Sequence, residues 1–228
     1  MTDLASWEPR AIPEPERLGG RFASLVRFDA DLHARALFGA LCGHENADLW
    51  RYIPAPMPET PDEFAAFIAG ANRSPKYNWR TMVIQAAEGH EVLGMASYMR
   101  IRPEHGSAEV GCVMFSPKLQ RTPIATEAMY LMAQHVFDSL GYRRYEWKCH
   151  NENAASKRAA DRYGFTFEGI FRNDLVVRGE NRDTAWYAIT DEEWPQRAAA
   201  FKAWLSPENF DNRGVQKQKL EAFRHSAD

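Results

Sequence analysis

Two rhythms of apolar residues run along this chain. Short runs dense in branched and aromatic side chains, too brief for a helix, predict strands over residues 21–28, 81–87, 92–101, 110–115, 142–149, 165–177 and 184–189. Between them, apolar residues three and four apart predict helices. Leu32, Ala36, Leu37 and Ala40 share a face after a capping Asp29, up to about residue 42; Phe64, Phe67 and Ile68 do so after Thr60-Pro61-Asp62-Glu63. The longest such face carries Ile124, Ala128, Leu131, Met132, Val136 and Leu140. Thr122 suits its N-cap, Pro123 its first position, where a missing N–H costs nothing, and Gly141 its stop. A fourth helix starts at Asn153 and stops at Gly164, and a fifth covers residues 192–205 with Trp194, Phe201 and Trp204 inward.

The breakers between these runs set the connections. Glu88-Gly89-His90 joins a hairpin, Pro103-Glu104-His105-Gly106 turns the chain into the strand at residue 110, and Gly179-Glu180-Asn181-Arg182 closes the last hairpin. Pro54, Pro56 and Pro58 break the aromatic stretch Leu49-Trp50-Arg51-Tyr52-Ile53, which is read as a loop or broken helix. Pro9, Pro13, Pro15 and Gly19-Gly20 make residues 1–20 an extended arm, and the polar residues 206–228 a loosely held tail. One domain over residues 21–205 remains. Its order is strand, two helices, strand meander, helix, strand, helix and closing hairpin, which is α+β with a mixed sheet.

Composition narrows the function. The chain of 228 residues can bury a full core as one domain, and its net charge of −3 with a pI near 6.2 argues against a dedicated nucleic-acid binder. No apolar run reaches the length of a membrane span, and MTDLASWEPR has no basic start leading into an apolar segment, so no membrane association is expected. Cys42, Cys112 and Cys149 form no C-x-x-C pair and are odd in number, which implies a reduced, cytoplasmic setting. Cys42, His44 and Glu45 are joined by no further metal-ligand pattern, so no metal is expected; His135 reads as a packed or rim residue, and no G-x-S-x-G occurs.

The candidate chemistry lies in residues 108–140. A strand turning sharply into a helix aims backbone N–H groups and a positive helix end at one spot, which suits a phosphorylated ligand, although such units also serve packing alone. Gln120-Arg121-Thr122-Pro123-Ile124-Ala125 resembles the Q/R-x-x-G-x-G/A loop of the GNAT superfamily of N-acetyltransferases. Ala108-Glu109-Val110-Gly111 before the loop and Ala125-Thr126-Glu127-Ala128 after it resemble the RimJ/RimL branch, as do Asn153-Ala154-Ala155-Ser156 and Arg162-Tyr163-Gly164-Phe165. Two departures stand out: Pro123 replaces the first loop glycine and Ala125 the second, and Ala160 occupies the place where the wider superfamily often has a thiolate-protonating tyrosine.

The resemblance implies a single-domain acyl-CoA N-acyltransferase fold, with a mostly antiparallel central sheet flanked by helices, over about residues 21–205. It implies acetyl-CoA as co-substrate, gripped by Phe115, Gln120, Arg121, Thr122, Pro123, Ile124, Ala125, Thr126, Asn153, Ser156 and Lys157. Ser156 is the candidate donor to the departing sulfur, and Glu109 the candidate base for the amine, with a strand ion pair as its structural alternative. Trp50, Tyr52 and Trp79 are candidates for the acceptor pocket, or equally for a core. The expected acceptor is an amine-bearing small molecule or a protein N-terminus, attacked directly in a ternary complex, and a homodimer is compatible with the reading. The alternative is a non-catalytic acyl-CoA-binding module of the same fold.

Overall fold

Strand alternation sends one set of apolar residues to each face of an eight-stranded sheet, and each set meets its own helices. The computed structural model describes residues 4–75 and 78–224. The strands are β1 (Arg17–Gly19), β2 (Ala23–Arg27), β3 (Arg80–Ala86), β4 (Val92–Arg102), β5 (Ser107–Phe115), β6 (Arg144–His150), β7 (Thr166–Val177) and β8 (Glu180–Thr190), in the order β1-β2-β3-β4-β5-β6-β8-β7. The helices are α1 (Ala30–Leu41), α2 (Pro61–Arg73), α3 (Pro123–Gln134), α4 (Ala154–Tyr163) and α5 (Trp194–Leu205). One face, through Leu25, Ile84, Tyr98, Val110 and Tyr145, packs on α3 and α5; the other, through Val83, Met95 and Met114, packs on α1 and α2. The fold is the α+β arrangement expected from the order of elements.

Every neighbouring pair is antiparallel except β5 and β6. Parallel neighbours need a crossover, and α3 supplies it. The buried Glu127 on α3 fixes where the crossover starts: its carboxylate accepts from the backbone N–H groups of Arg21, Phe22 and Ala23 at 2.9, 2.5 and 2.7 Å. Gly20 is required there, because a Cβ at that position would lie 2.4 Å from the Glu127 carboxyl carbon.

The structure alters several expected boundaries. The α-helical bonding of α3 ends at Gln134, and a π-helical turn, His135–Ser139, carries the chain to Gly141 with φ +67°. That wider turn keeps Val136 and Phe137 in the core while Asp138 accepts from Trp194 Nε1 at 2.6 Å. The closing hairpin turns at Arg178-Gly179, both at positive φ, so β8 begins at Glu180 rather than at residue 184. A two-residue turn of this kind matches the strand twist, and the polar Asn181 and Arg182 disguised the strand. The arm and the tail both pack onto the domain: β1 pairs with β2, and Leu220 is buried with α5. Residues 1–3 and 225–228, which end the expected arm and tail, lie outside the described residues. No helix among the described residues is long and apolar enough to cross a membrane.

Candidate active site

Strands β5 and β6 pair only from Ser107↔Arg144 to Val110↔Trp147, and then part. The cause is local. Cys112 sits at φ +46° in a bulge where the β4–β5 register slips between Met95 and Ser97, so the end of β5 bends with β4 while β6 continues along β8. Beyond the fork, residues 111–113 and 148–150 have lost their cross-strand partners on the facing edges. Backbone polar groups there call for an extended, amide-bearing ligand or for water.

At the end of β5 the chain makes the loop that resembles the pyrophosphate grip. Gln120 Nε2 donates to Phe115 O at 3.1 Å and ties the loop to the strand. Thr122 caps α3 by accepting from Ala125 N at 3.2 Å, and Pro123 takes the first helical position. Arg121 is held at φ +63° and is exposed. Among the described residues, the N–H groups of Arg121 and Ile124 have no hydrogen-bond acceptor, and both stand at the positive end of the helix. Thr126 is buried and accepts from Arg162 Nη1 at 3.0 Å, so a guanidinium from α4 reaches the same corner.

On the other side of the fork, Asn153 caps α4 by accepting from Ser156 N at 3.0 Å. Ser156 Oγ accepts from Trp147 Nε1 at 2.9 Å, which leaves its own proton to donate. The buried Cys149 lies close by: burial raises its thiol pKa, and the neighbouring Ser156 hydroxyl partly offsets the rise. The hydroxyl oxygen is therefore held by an indole, with its proton free to turn to another acceptor. Lys157 Nζ reaches Asn151 Oδ1 at 3.1 Å and braces the preceding loop.

The face of the sheet away from α3 is charged at β5, β6 and β8. Glu109 and Glu146 are register partners, and both are buried. Glu109 Oε2 pairs with Arg100 at 2.6 Å and Lys148 at 3.1 Å, while its Oε1 lies by Gly111 at the fork, without a hydrogen-bond partner among the described residues. Glu146 pairs with Lys148 at 2.6 Å and with Arg102 and Arg144 at 2.7 Å. Burial works against the Glu146 carboxylate, but Lys148, Arg144 and Arg102 outweigh it and hold its pKa below the ordinary value. The Lys148 ammonium also lies 3.7 Å from the centroid of the Trp186 ring. Along the sequence Arg144, Glu146 and Lys148 only alternate as one polar strand face; the pairing of β6 with β5, which sets Glu146 opposite Glu109, reveals the network.

The proline-rich loop meets the end of β6 and the tip of the closing hairpin. Tyr52 packs on His150 with the rings tilted by 47° and centroids 5.2 Å apart, and donates to Glu152 O at 3.3 Å; Arg178 at the hairpin tip donates to Ile53 O at 2.7 Å and to Ala55 O. Tyr52 thus stands at the mouth of the fork. Trp50 and Trp79 do not. Trp50 donates to Leu41 O at 2.8 Å and packs on Phe64 and Phe67, and Trp79 packs on Phe67, both buried under α1 and α2. Their place in the acceptor pocket is withdrawn, since helical cover fills that half of the face. A surface hollow of about 620 Å³ on the closing hairpin is lined by Ile170, Arg172, Asn173, Asn181 and Asp183, and none of the expected site residues lines it. No cluster of three metal-ligating side chains occurs among the described residues.

Known proteins of the same build carry a common activity. The acetyltransferase (GNAT) domain family matches residues 24–166. A GCN5-related N-acetyltransferase from Brucella melitensis, solved by crystallography, is 43% identical, with a TM-score of 0.91 over 97% of this chain and 99% of that one. The uncharacterized N-acetyltransferase YnaD of Bacillus subtilis is 26% identical over 149 residues, 65% of this chain and 84% of the relative. The ribosomal-protein-serine acetyltransferase of Escherichia coli is 30% identical over 98 residues, 43% of this chain and 54% of the relative. The forked sheet, the capped loop and these likenesses agree: the chain belongs to the GNAT family and is an acetyltransferase.

Proposed function

We propose that this protein transfers an acetyl group from acetyl-CoA to a primary amine by direct attack within a ternary complex, in the manner of the RimJ/RimL branch. The observation that carries the reading is the free pair of Arg121 and Ile124 amides at the start of α3, beside the unpaired strand edges of the fork. They offer a diphosphate two N–H donors and a helix end, and they offer an extended pantetheine its hydrogen-bond partners. Pro123 removes one donor from this corner, and Arg121 and Arg162 supply cationic ones. Bound acetyl-CoA would supply the activated acetyl group.

The chain supplies orientation and proton traffic. Ser156, held by Trp147 and Asn153, donates its hydroxyl proton to the departing sulfur. Glu109 cannot act as an unencumbered base, because its Oε2 faces two cations; its Oε1, which lies over Gly111 beside the fork, takes the proton of the incoming amine directly or through water. The relative that acts on ribosomal-protein serine makes a protein N-terminus one acceptor class to test, beside small amines.

The test is ligand-dependent stability. Coenzyme A should raise the melting temperature, because a ligand at one hundred times its Kd adds about 2.7 kcal/mol. Pantetheine, which lacks the diphosphate, should add less, and Ser156→Ala should lower kcat more than it weakens acetyl-CoA binding. Equal stabilisation by pantetheine and coenzyme A would take the loop out of the site.

A further inference from the structure

One charged group on the open sheet face is used neither by the ion pairs nor by the proposed chemistry. Arg182 lies on β8, two residues before Thr184, whose register partner is His150 at the end of β6. Its Nε donates to Thr184 Oγ1 at 3.3 Å, and its guanidinium forms no ion pair among the described residues. It is nevertheless half-buried. Burial first, and then the charge of Arg100, lower its pKa, against weaker opposite effects from Cys149, Glu109 and Asp174. A guanidinium remains protonated regardless, so a positive charge is held partly out of water near another one. Such a site is costly when empty and complementary to an anion.

The local charge balance leads to the same place. Arg102 and Arg144 are matched by Glu146 and Glu168. What remains around Arg182 is Arg100, Lys148 and Arg182 itself against Glu109 and the more weakly acting Asp174. The leftover charge is positive, and its unpaired member is Arg182. Across β6 from it, Glu109 Oε1 lies over Gly111, next to the point where β5 and β6 part, and would attract an ammonium. The Tyr52 loop, tied to Glu152 and to Arg178 of the closing hairpin, stands at the end of β6, next to the strand that carries Arg182.

We infer that Arg182 is the anion subsite of the acceptor pocket and that the acceptor is a primary amine carrying a carboxylate. The inference rests on the acetyltransferase reading above and adds the chemistry of its acceptor. Two parallel guanidinium N–H groups match a carboxylate, so one end of the acceptor is fixed by Arg182 while its amine is presented at the fork.

Matched acceptors test it: free amino acids against their amides, and short peptides that differ only by Glu or Gln as the second residue. Acetylation of each pair is followed with wild type, Arg182→Gln and Arg182→Lys, and coenzyme A binding is measured by thermal shift in all three. Wild type should favour the carboxylate member about tenfold or more. Arg182→Gln should abolish that preference while keeping coenzyme A binding and the rate on the neutral member, and Arg182→Lys should restore part of it. The amino-acid and peptide arms separate a small acceptor from a protein N-terminus. Equal rates within every pair for wild type, or an equal loss on both members in Arg182→Gln, would overturn the inference. Should no amine in the panel react, phenylglyoxal labelling of Arg182 with coenzyme A present decides: slower labelling with the carboxylated amines supports it, and unchanged labelling contradicts it. Absent coenzyme A binding in wild type would instead sink the acetyltransferase reading, and the inference with it.

Discussion

Under α1 and α2, the sheet face made by β3 and β4 presents Val83 and Met95 to Leu37, Leu41, Phe64 and Ile68. Further along, the same face of β5 and β6 presents Glu109, Glu146 and Lys148. Both halves alternate with apolar residues on the opposite face, and both are largely removed from water. Helical cover separates them. Where helices lie on the strands, apolar packing stabilises at roughly 25 cal/mol per Å² of buried area. Where none does, ionic side chains cover one another and pay a desolvation cost that apolar residues of the same size would avoid. Charge kept at that cost, beside a fork in the sheet, is the ground for assigning the proposed chemistry to this half of the face.

The sharpest way to break this contrast is to remove packing from the covered half. Phe64→Ala should cost about 3–5 kcal/mol, as truncations of buried aromatics do. Denaturant unfolding would show it, while the folded fraction should bind coenzyme A as wild type does. A loss of coenzyme A binding in folded protein would mean that the two halves are not separate.

In the charged half, Glu146→Gln removes the charge that Lys148, Arg102 and Arg144 share, at about 2 kcal/mol for charge-assisted hydrogen bonds to a buried group. The pH dependence has a definite sign. The folded-state pKa of Glu146 is lowered, so its contribution is present above the unfolded value of about 4.3 and is lost as pH falls through the folded one. The stability gap between wild type and Glu146→Gln should therefore be wide at pH 7 and shrink below about pH 4. A gap that is independent of pH would assign the effect to packing.

The smallest effect is expected at Cys149. Burial holds its thiol above the ordinary pKa, so little thiolate is available to attack a thioester. Cys149→Ala should keep most of the activity, and no acetylated protein should accumulate on incubation with acetyl-CoA alone. Mass spectrometry showing an acetyl adduct that vanishes in Cys149→Ala would replace direct transfer with an acyl-enzyme route.

The strand and helix runs were legible in the sequence because each buries one face and so repeats at period two or near 3.6. Thr122 and Asn153 were legible as caps for the same reason: the capping bond is local. Trp50 and Trp79 were not distinguishable from pocket residues, since an aromatic ring near a loop carries no mark of whether a helix will cover it. The Glu146–Lys148 network and Arg182 were hidden more deeply. Alternating charges on one strand read as a solvated face, and only the sheet order, which sets β6 between β5 and β8, brings them to Glu109. The bulge at Cys112, from which the fork follows, is marked in the sequence only by the neighbouring Gly111, a residue that also fits a plain strand or turn.

The central claim is that the fork and the start of α3 form one binding site. A crystal structure of the complex with acetyl-CoA tests it directly. The account predicts the diphosphate within hydrogen-bonding distance of the Arg121 and Ile124 amides, the pantetheine between the parted edges of β5 and β6, and the thioester sulfur at the Ser156 hydroxyl. A diphosphate bound away from the start of α3, or a pantetheine outside the fork with β5 and β6 still parted, would contradict it.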